Sequence, residues 1–193
     1  PLRVYAIDIA GSMTGVALFT ALSAAQTTPP VWLVAVALLL GLSRLGVGVD
    51  LGAIVNGALL IATVVVSIGA VGAGTSWSPY YRITEHVDEP PSISVNGIPH
   101  QAMWSMTDPR VDPFYDQVYR WFPGRTFDRV LIVGAGSGND VAMALARGAK
   151  TVDAVEIDPR IQQIGAIRHP DQPYSDPRVT PIVNDGRAFL RSA

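Results

Sequence analysis

The 193-residue chain carries 14 basic and 16 acidic residues, a formal net charge of −2, and no cysteine. Without a basic excess it lacks the electrostatic footprint of a nucleic-acid binder. Without thiols it has no disulfide scaffold, thiolate nucleophile or cysteine metal site, and no metal is expected.

Charge is unevenly distributed. Residues 1–74 hold only Arg3, Asp8, Arg44 and Asp50, and all other charges follow. That split predicts a membrane part followed by a soluble part. The first residue is proline, which points to a removed start or to an excerpt of a longer chain. Val4 to Ala24 is apolar over about the 20 residues that a bilayer demands. Gln26-Thr-Thr-Pro-Pro30 breaks it. Val31 to Leu42 reaches spanning length only by running past Arg44, whose side chain can snorkel. Leu51 to Gly74 is a third candidate span, followed by Trp77, Tyr80 and Tyr81 where an aromatic belt belongs. Three apolar stretches in succession argue against a signal peptide. Gly11-Ser-Met-Thr-Gly15 would let two helices approach closely. Asp8 is costly at the edge of an apolar run. It is read as an interfacial cap or a partner of Arg3; a transport role would enlist Asn56.

The connector follows. Tyr81 to Val87 alternates and is rich in β-formers, Glu89-Pro-Pro91 is a turn, and Ser92 to Val95 leads into Asn96-Gly97, a tight hairpin signal. Asp112-Pro113 starts a helix, with Phe114, Val118 and Trp121 on one face, ending before Pro123-Gly124.

Arg129 to Val133 is a short apolar run suited to a buried parallel strand. It feeds Gly134-Ala-Gly-Ser-Gly138, then a helix from Asn139 to Arg147 that Gly148 ends. Thr151 to Val155 is the next strand, closed by Glu156. The glycines permit a sharp turn and close ligand approach, and the helix start offers N–H groups. An acid about 20 residues beyond the glycines can accept both ribose hydroxyls, and Glu156 stands there. Asn139 occupies the place where a dinucleotide fold wants its third glycine, so NAD is not expected. A P-loop is excluded because no Gly-Lys-Ser/Thr follows. Val179 to Val183 is a third strand, with Asp185-Gly186 at its ligand-facing end; Asp185 also suits the N-cap of a helix over 187–191. Asp-Pro-Arg at 108, 158 and 176 reads as turn or helix-start chemistry.

These residues resemble a known family. Gly134-Ala-Gly-Ser-Gly138, Val155-Glu-Ile-Asp-Pro159, Asp176-Pro-Arg-Val179 and Asp185-Gly-Arg-Ala-Phe-Leu190 are similar to spermidine synthases, in particular the membrane-fused spermidine synthase-like proteins of bacteria. Ser78-Pro-Tyr-Tyr-Arg-Ile83, Val95-Asn-Gly-Ile98 and Phe114-Tyr-Asp-Gln117 resemble the family's S-x-Y-Q-x-I strand, L-D-G-V turn and Y-x-E helix start. The resemblance covers roughly residues 76–193. It implies an α-helical transmembrane segment (1–75), a β-hairpin layer and linking helix (76–128), and a Rossmann-like parallel sheet (129–193), incomplete after its third strand. It implies aminopropyl transfer from decarboxylated S-adenosylmethionine to a polyamine such as putrescine, without a metal. Gly134, Gly136, Ser137, Gly138, Glu156, Asp185 and Gly186 would bind the nucleoside, Glu156 at the ribose and Asp185 at the adenine amino group. Tyr115 would line the amine channel, and Tyr81 stands where the family has its strand glutamine. A homo-oligomer in the bacterial inner membrane fits the family. Three spans and two arginines would place the soluble domain outside; the nucleoside cofactor places it in the cytoplasm, and the cofactor is given precedence.

Departures keep two alternatives open. Ser137 replaces the family's usual acid in the glycine motif, with Asp140 nearby; Tyr81 and Gln117 replace a glutamine and an acid. A methyltransferase using S-adenosylmethionine, or a transporter or scaffold with a degenerate cofactor domain, competes with aminopropyl transfer. The family's catalytic aspartate follows a fourth strand, so the base is expected beyond residue 193. These 193 residues alone are therefore expected to show no aminopropyl transfer; product formation above background in a labelled-donor assay contradicts this.

Overall fold

The computed structural model describes residues 2–44, 46 and 48–192. Pro1, Leu45, Val47 and Ala193, which the expected domains include, lie outside them. The chain divides into two compact units, residues 1–79 and 80–193. The hairpin layer and the Rossmann-like core thus share one unit.

The first unit holds helices α1 (Leu2–Ala24), α2 (Pro29–Ser43) and α3 (Leu51–Ala70) and a short strand β1 (Thr75–Trp77). By length and composition, α1 and α3 are suited to cross a membrane. The middle segment is not: α2 stops after 15 residues, with Arg44 as its C-cap. It does not run on past Arg44, because Gly46 turns the chain at a φ of +85°. The last helix also ends earlier than expected, at Ala70, where Val71 takes extended backbone. Asp50 fixes its start by accepting from Ala53 N–H at 2.7 Å. Between α1 and α2, Trp32 Nε1 donates to Thr27 Oγ1 at 2.8 Å and its ring meets Phe19 edge-on at 5.2 Å.

The glycine pair of α1 draws no neighbour close. A Cβ added at Gly11 or Gly15 would meet nothing within 4 Å. Asn56 lines an apolar groove of about 800 Å³ between α2 and α3, and Asp8 is not among its lining residues. The two polar groups that a transport site would combine are not brought together.

The second unit begins with a hairpin layer. Strand β2 (Arg82–His86) pairs antiparallel with β3 (Ser92–Val95), which pairs antiparallel with β4 (Ile98–Ala102). Asn96 and Gly97 turn β3 into β4 with φ of +53° and +83°, the two positive values that a type I′ turn requires. The β3–β4 ladder contains a bulge. Ser94 faces Pro99 while Ile93 faces Gln101, so His100 is the extra residue. Gln101 therefore shares a face with Ile93. That face is the buried one: Ile83, Ile93, Val95 and Met103 pack with Ile161 and Ile164.

A 3-10 turn (Pro113–Asp116), capped by Asp112, leads into α4 (Gln117–Trp121). Buried Asp116 then ties α4 to the core through ion pairs with Arg120 and Arg147. The expected apolar face of α4 is not covered within the described residues: Phe114, Val118 and Trp121 are all exposed.

The core alternates strictly. Strands β5 (Arg129–Val133), β6 (Thr151–Glu156) and β7 (Val179–Val183) run parallel in that order, and helices α5 (Asn139–Ala146), α6 (Pro159–Arg168) and α7 (Gly186–Ser192) follow them. Alternation of this kind yields a parallel sheet with helical crossovers. Small residues (Ala135, Ala144, Ala149 and Ala154) fill the core beside Val141, Val152 and Val179 and let helix and sheet approach closely. Gly148 ends α5 at a φ of +87°. The three Asp-Pro-Arg segments do one local job: Asp108, Asp158 and Asp176 each accept from the N–H of the arginine two residues on.

Gly165 in α6 sets how near that helix comes to the turn after β5. A Cβ there would stand 2.5 Å from the backbone oxygen of Ser137 and 2.7 Å from its Cα. Gly165→Ala should therefore cost about 1–3 kcal/mol by overpacking against rigid backbone. Urea unfolding of the full chain in detergent, read through hydrogen exchange of α6, measures it; an unchanged midpoint would show that the helix is not packed so tightly.

Candidate cofactor site

The glycine turn lies at the carboxyl end of β5, where an open parallel sheet binds its ligands. Gly134, Gly136 and Gly138 all take positive φ, +79°, +55° and +104°. At Gly138 a Cβ would also meet Pro173 at 2.9 Å and Tyr174 at 3.1 Å, so glycine is required twice over.

Every N–H of the turn is engaged. Gly134 and Ala135 both donate to Val155 O, at 2.8 and 3.0 Å, and Gly138 donates to Ala135 O at 3.0 Å. Gly136 N–H donates to Glu156 Oε2 at 2.8 Å. Ser137 N–H donates to Gln101 Oε1 at 2.8 Å, and Ser137 Oγ–H donates to the same oxygen at 2.6 Å. Tyr174 O–H closes the far side by donating to Gly136 O at 2.7 Å. Burial, together with Glu156 and Asp140, pushes the Tyr174 phenol well above its usual range, so it remains a donor.

Glu156 is only 7% exposed and spans the gap from turn to β6. Its Oε1 accepts from Asp158 N–H at 2.9 Å while Oε2 holds Gly136. A carboxylate offers about four acceptor positions, so two remain beyond these bonds. Asp158 is fully buried and caps α6, accepting from Arg160 and Ile161 N–H at 2.9 and 3.2 Å.

A second network fixes the first residue of α5. Asn139 Nδ2–H donates to Ala102 O at 2.8 Å and to Tyr115 Oη at 2.9 Å. Asn139 Oδ1 accepts from Trp104 N–H at 3.1 Å and contacts His169 Nε2 at 3.1 Å. His169 Nδ1 accepts from Asp171 N–H at 3.1 Å, which assigns the ring proton to Nε2 and makes His169 the donor to Asn139. The network joins β4, the 3-10 turn, α5 and the end of α6.

The expected site residues fall into three groups. Gly134, Gly136, Ser137, Gly138 and Glu156 form one continuous structure. Tyr115 touches it through Asn139, and with Asp140, Tyr119 and Phe127 it lines a cavity of about 310 Å³. Burial raises the Asp140 carboxyl above its ordinary value. Asp185 is exposed beyond β7 and caps α7, accepting from Ala188 N–H at 2.9 Å; Gly186 follows it. Tyr81 stands just ahead of β2, 37% exposed, its ring 6.3 Å from that of Tyr80. Sequence reading missed Gln101, His169 and Tyr174. It used Asn139 only to exclude a dinucleotide.

Among the described residues no cluster of His, Asp or Glu suits a metal ion.

No protein-family model matches the chain, and no curated protein matches it significantly. Solved structures do. A spermidine synthase from Thermotoga maritima superposes with a TM-score of 0.51 at 17% identity, over 61% of this chain and 41% of its own. A spermidine synthase in complex with the transition-state analogue AdoDATO gives the same values. A methyltransferase from Escherichia coli aligns at a TM-score of 0.36 and 21% identity, over 47% of this chain and 50% of its own. The chain thus shares the fold of those synthases over 61% of its length. It spans 41% of the length of those synthases.

The His169 network has a measurable signature. Burial lowers the His169 pKa from 6.5 to about 4, so the folded protein keeps it neutral while the unfolded chain protonates it. Its contribution is full above pH 6.5 and is lost as pH falls towards 4, by about 3 kcal/mol in total. Unfolding midpoints of the full chain between pH 4 and 7 should fall more steeply for the wild type than for His169→Gln. Parallel curves would show that His169 titrates normally.

Proposed function

We propose that the second unit is the nucleoside-binding part of a transferase that moves an aminopropyl group from decarboxylated S-adenosylmethionine to a polyamine such as putrescine. The observation that carries this reading is Glu156, a buried carboxylate locked onto the glycine turn with two acceptor positions to spare. Those positions suit a ribose diol. The hairpin layer, seated on the turn through Gln101, supports a synthase over a bare methyltransferase core.

Gly134, Gly136, Ser137 and Gly138 form the floor under the nucleoside, and Asp185 with Gly186 takes its adenine edge. The amine occupies the cavity of Tyr115, where Asp140 supplies the acid that Ser137 does not; Tyr81 is a further candidate for amine contact. In the reaction the amine nitrogen bonds to the carbon beside the sulfonium. The C–S bond breaks, its electron pair neutralises sulfur, and the ammonium product loses a proton to a carboxylate base. No described residue is assigned as that base. We further propose that α1 and α3 anchor the protein in the bacterial inner membrane with the second unit in the cytoplasm, where the nucleoside donor is made, and that copies associate as a homo-oligomer.

Calorimetric titration of the full chain in detergent tests the reading. Decarboxylated S-adenosylmethionine should bind saturably, and Glu156→Gln should weaken it about tenfold, the value of one hydrogen bond to a charged group. Preference for S-adenosylmethionine itself would favour methyl transfer instead; equal binding by the variant would remove Glu156 from the site.

A further inference from the structure

The groove between α2 and α3 has a graded lining. Its polar side chains are Ser43, Arg44, Asn56 and Thr63, and no acidic residue lines it. Ser43 and Thr63 are satisfied within their own helices, their hydroxyls donating to Leu40 O at 2.7 Å and Leu59 O at 2.8 Å. No hydrogen bond or ion pair holds the side chain of Arg44 or of Asn56 among the described residues. Arg44 caps α2, and Asn56 lies on the second turn of α3. Helices joined by so short a connection pack as antiparallel neighbours, so charge and carboxamide fall towards the same end of the groove. Beyond them the walls are Val34 and Ala37 on one side and Leu60, Ile61, Val64 and Val65 on the other.

We infer that this groove holds one acyl chain of an anionic phospholipid, with the headgroup phosphate on Arg44 and a glycerol ester carbonyl on the Asn56 amide. The inference rests on the proposed membrane anchoring through α1 and α3 and is independent of the transferase reading.

Charge complementarity identifies the occupant. A groove lined by apolar side chains alone would accept any hydrocarbon, a neighbouring helix included. A guanidinium at its mouth calls for an anion, and at a bilayer interface the abundant anion is a lipid phosphate. A carboxamide further in is costly in hydrocarbon unless it is hydrogen-bonded. Ester carbonyls lie just below the phosphate of a phospholipid, at the depth where Asn56 follows Arg44. Lengths agree as well. At 15 residues α2 is about 22 Å long against a hydrocarbon core of ~30 Å, so Arg44 reaches one interface by snorkelling while the groove behind it lies in hydrocarbon. From Asn56 to Val65 the α3 wall runs about 14 Å, close to the ~15 Å depth of one leaflet.

Native mass spectrometry of the full chain in a mild detergent tests this, with phosphatidylglycerol and phosphatidylcholine of identical acyl chains as probes. Wild type, Arg44→Gln and Gly57→Leu are compared, circular dichroism confirming that each keeps its helices. Gly57 lines the groove and a Cβ there would meet nothing within 4 Å, so leucine fills the space without collision. The wild type should prefer phosphatidylglycerol about fivefold, the value of one basic side chain near an anionic membrane surface. Arg44→Gln should lose that preference by weakening phosphatidylglycerol alone, and Gly57→Leu should weaken both lipids. Equal binding of the two lipids by the wild type, or an unchanged preference in Arg44→Gln, overturns the inference. So does a Gly57→Leu protein that keeps its lipid but loses its oligomeric state, which would make a second copy the occupant. Release of the full chain from membranes by alkaline carbonate would remove the anchoring as well; a chain that stays with the membrane and shows no lipid preference removes this site alone.

Discussion

The second unit depends on one carboxylate with two backbone partners. Glu156 ends the central strand and reaches sideways to Gly136, twenty residues earlier, and forward to Asp158. The turn it holds is a run of positive-φ glycines that has little conformational preference of its own. A charged acceptor on Gly136 N–H, worth about 1.5–3 kcal/mol, fixes it. Asp158, positioned by the same carboxylate, caps α6, and α6 brings Gly165 against Ser137. One side chain thus determines the shape of the turn from below and the position of the helix that backs it.

Three layers meet at that turn, and polar contacts rather than apolar area specify how. The apolar cores are separate: one lies within the parallel sheet and its helices, the other between the hairpin layer and α6. Apolar packing tolerates sliding, whereas the bonds that Asn139 donates to Ala102 and Tyr115 and accepts from Trp104 and His169 do not. A fully satisfied buried network of this kind selects one arrangement, since any shift strands a buried donor or acceptor. Glu85, bridged to Arg160 and Arg168 at 2.7 and 3.3 Å, repeats the link between β2 and α6 nearer the surface.

What was legible in the sequence is what depends on spacing along one segment. Strand, glycine turn, helix and acid follow one another within thirty residues, and each has a local signature. Asp185 illustrates the limit: its place after β7 was readable, and so was its capping role, because both are local. Gln101 was hidden by the bulge. A regular β4 would have turned His100 inward, and no composition rule announces one extra residue in a strand. His169 was hidden because its partner is thirty residues away and its role depends on burial. The middle apolar segment falls short of spanning length for a plainer reason. Hydropathy continues past Arg44, but backbone geometry does not, since Gly46 adopts a φ that ends a helix.

Every backbone N–H of the turn from Gly134 to Gly138 is engaged, so a ligand there would meet side chains, carboxylate and aromatic surface among them. Glu156 keeps acceptor positions free, and Asp140 lies in a cavity walled by Tyr115, Tyr119 and Phe127. Burial holds the Asp140 carboxyl above its ordinary value, so a bound cation would lower it again and gain by doing so. Aromatic faces add attraction for the same charge. Such a surface would favour positively charged ligands at two neighbouring places, the turn and the cavity. On the proposed reaction, a sulfonium donor and a polyamine whose far end stays ammonium would repel each other. On that reading, carboxylates on both sides would offset the repulsion, and this would give Asp140 a reason to stand on the first turn of α5 when Ser137 occupies the motif position itself.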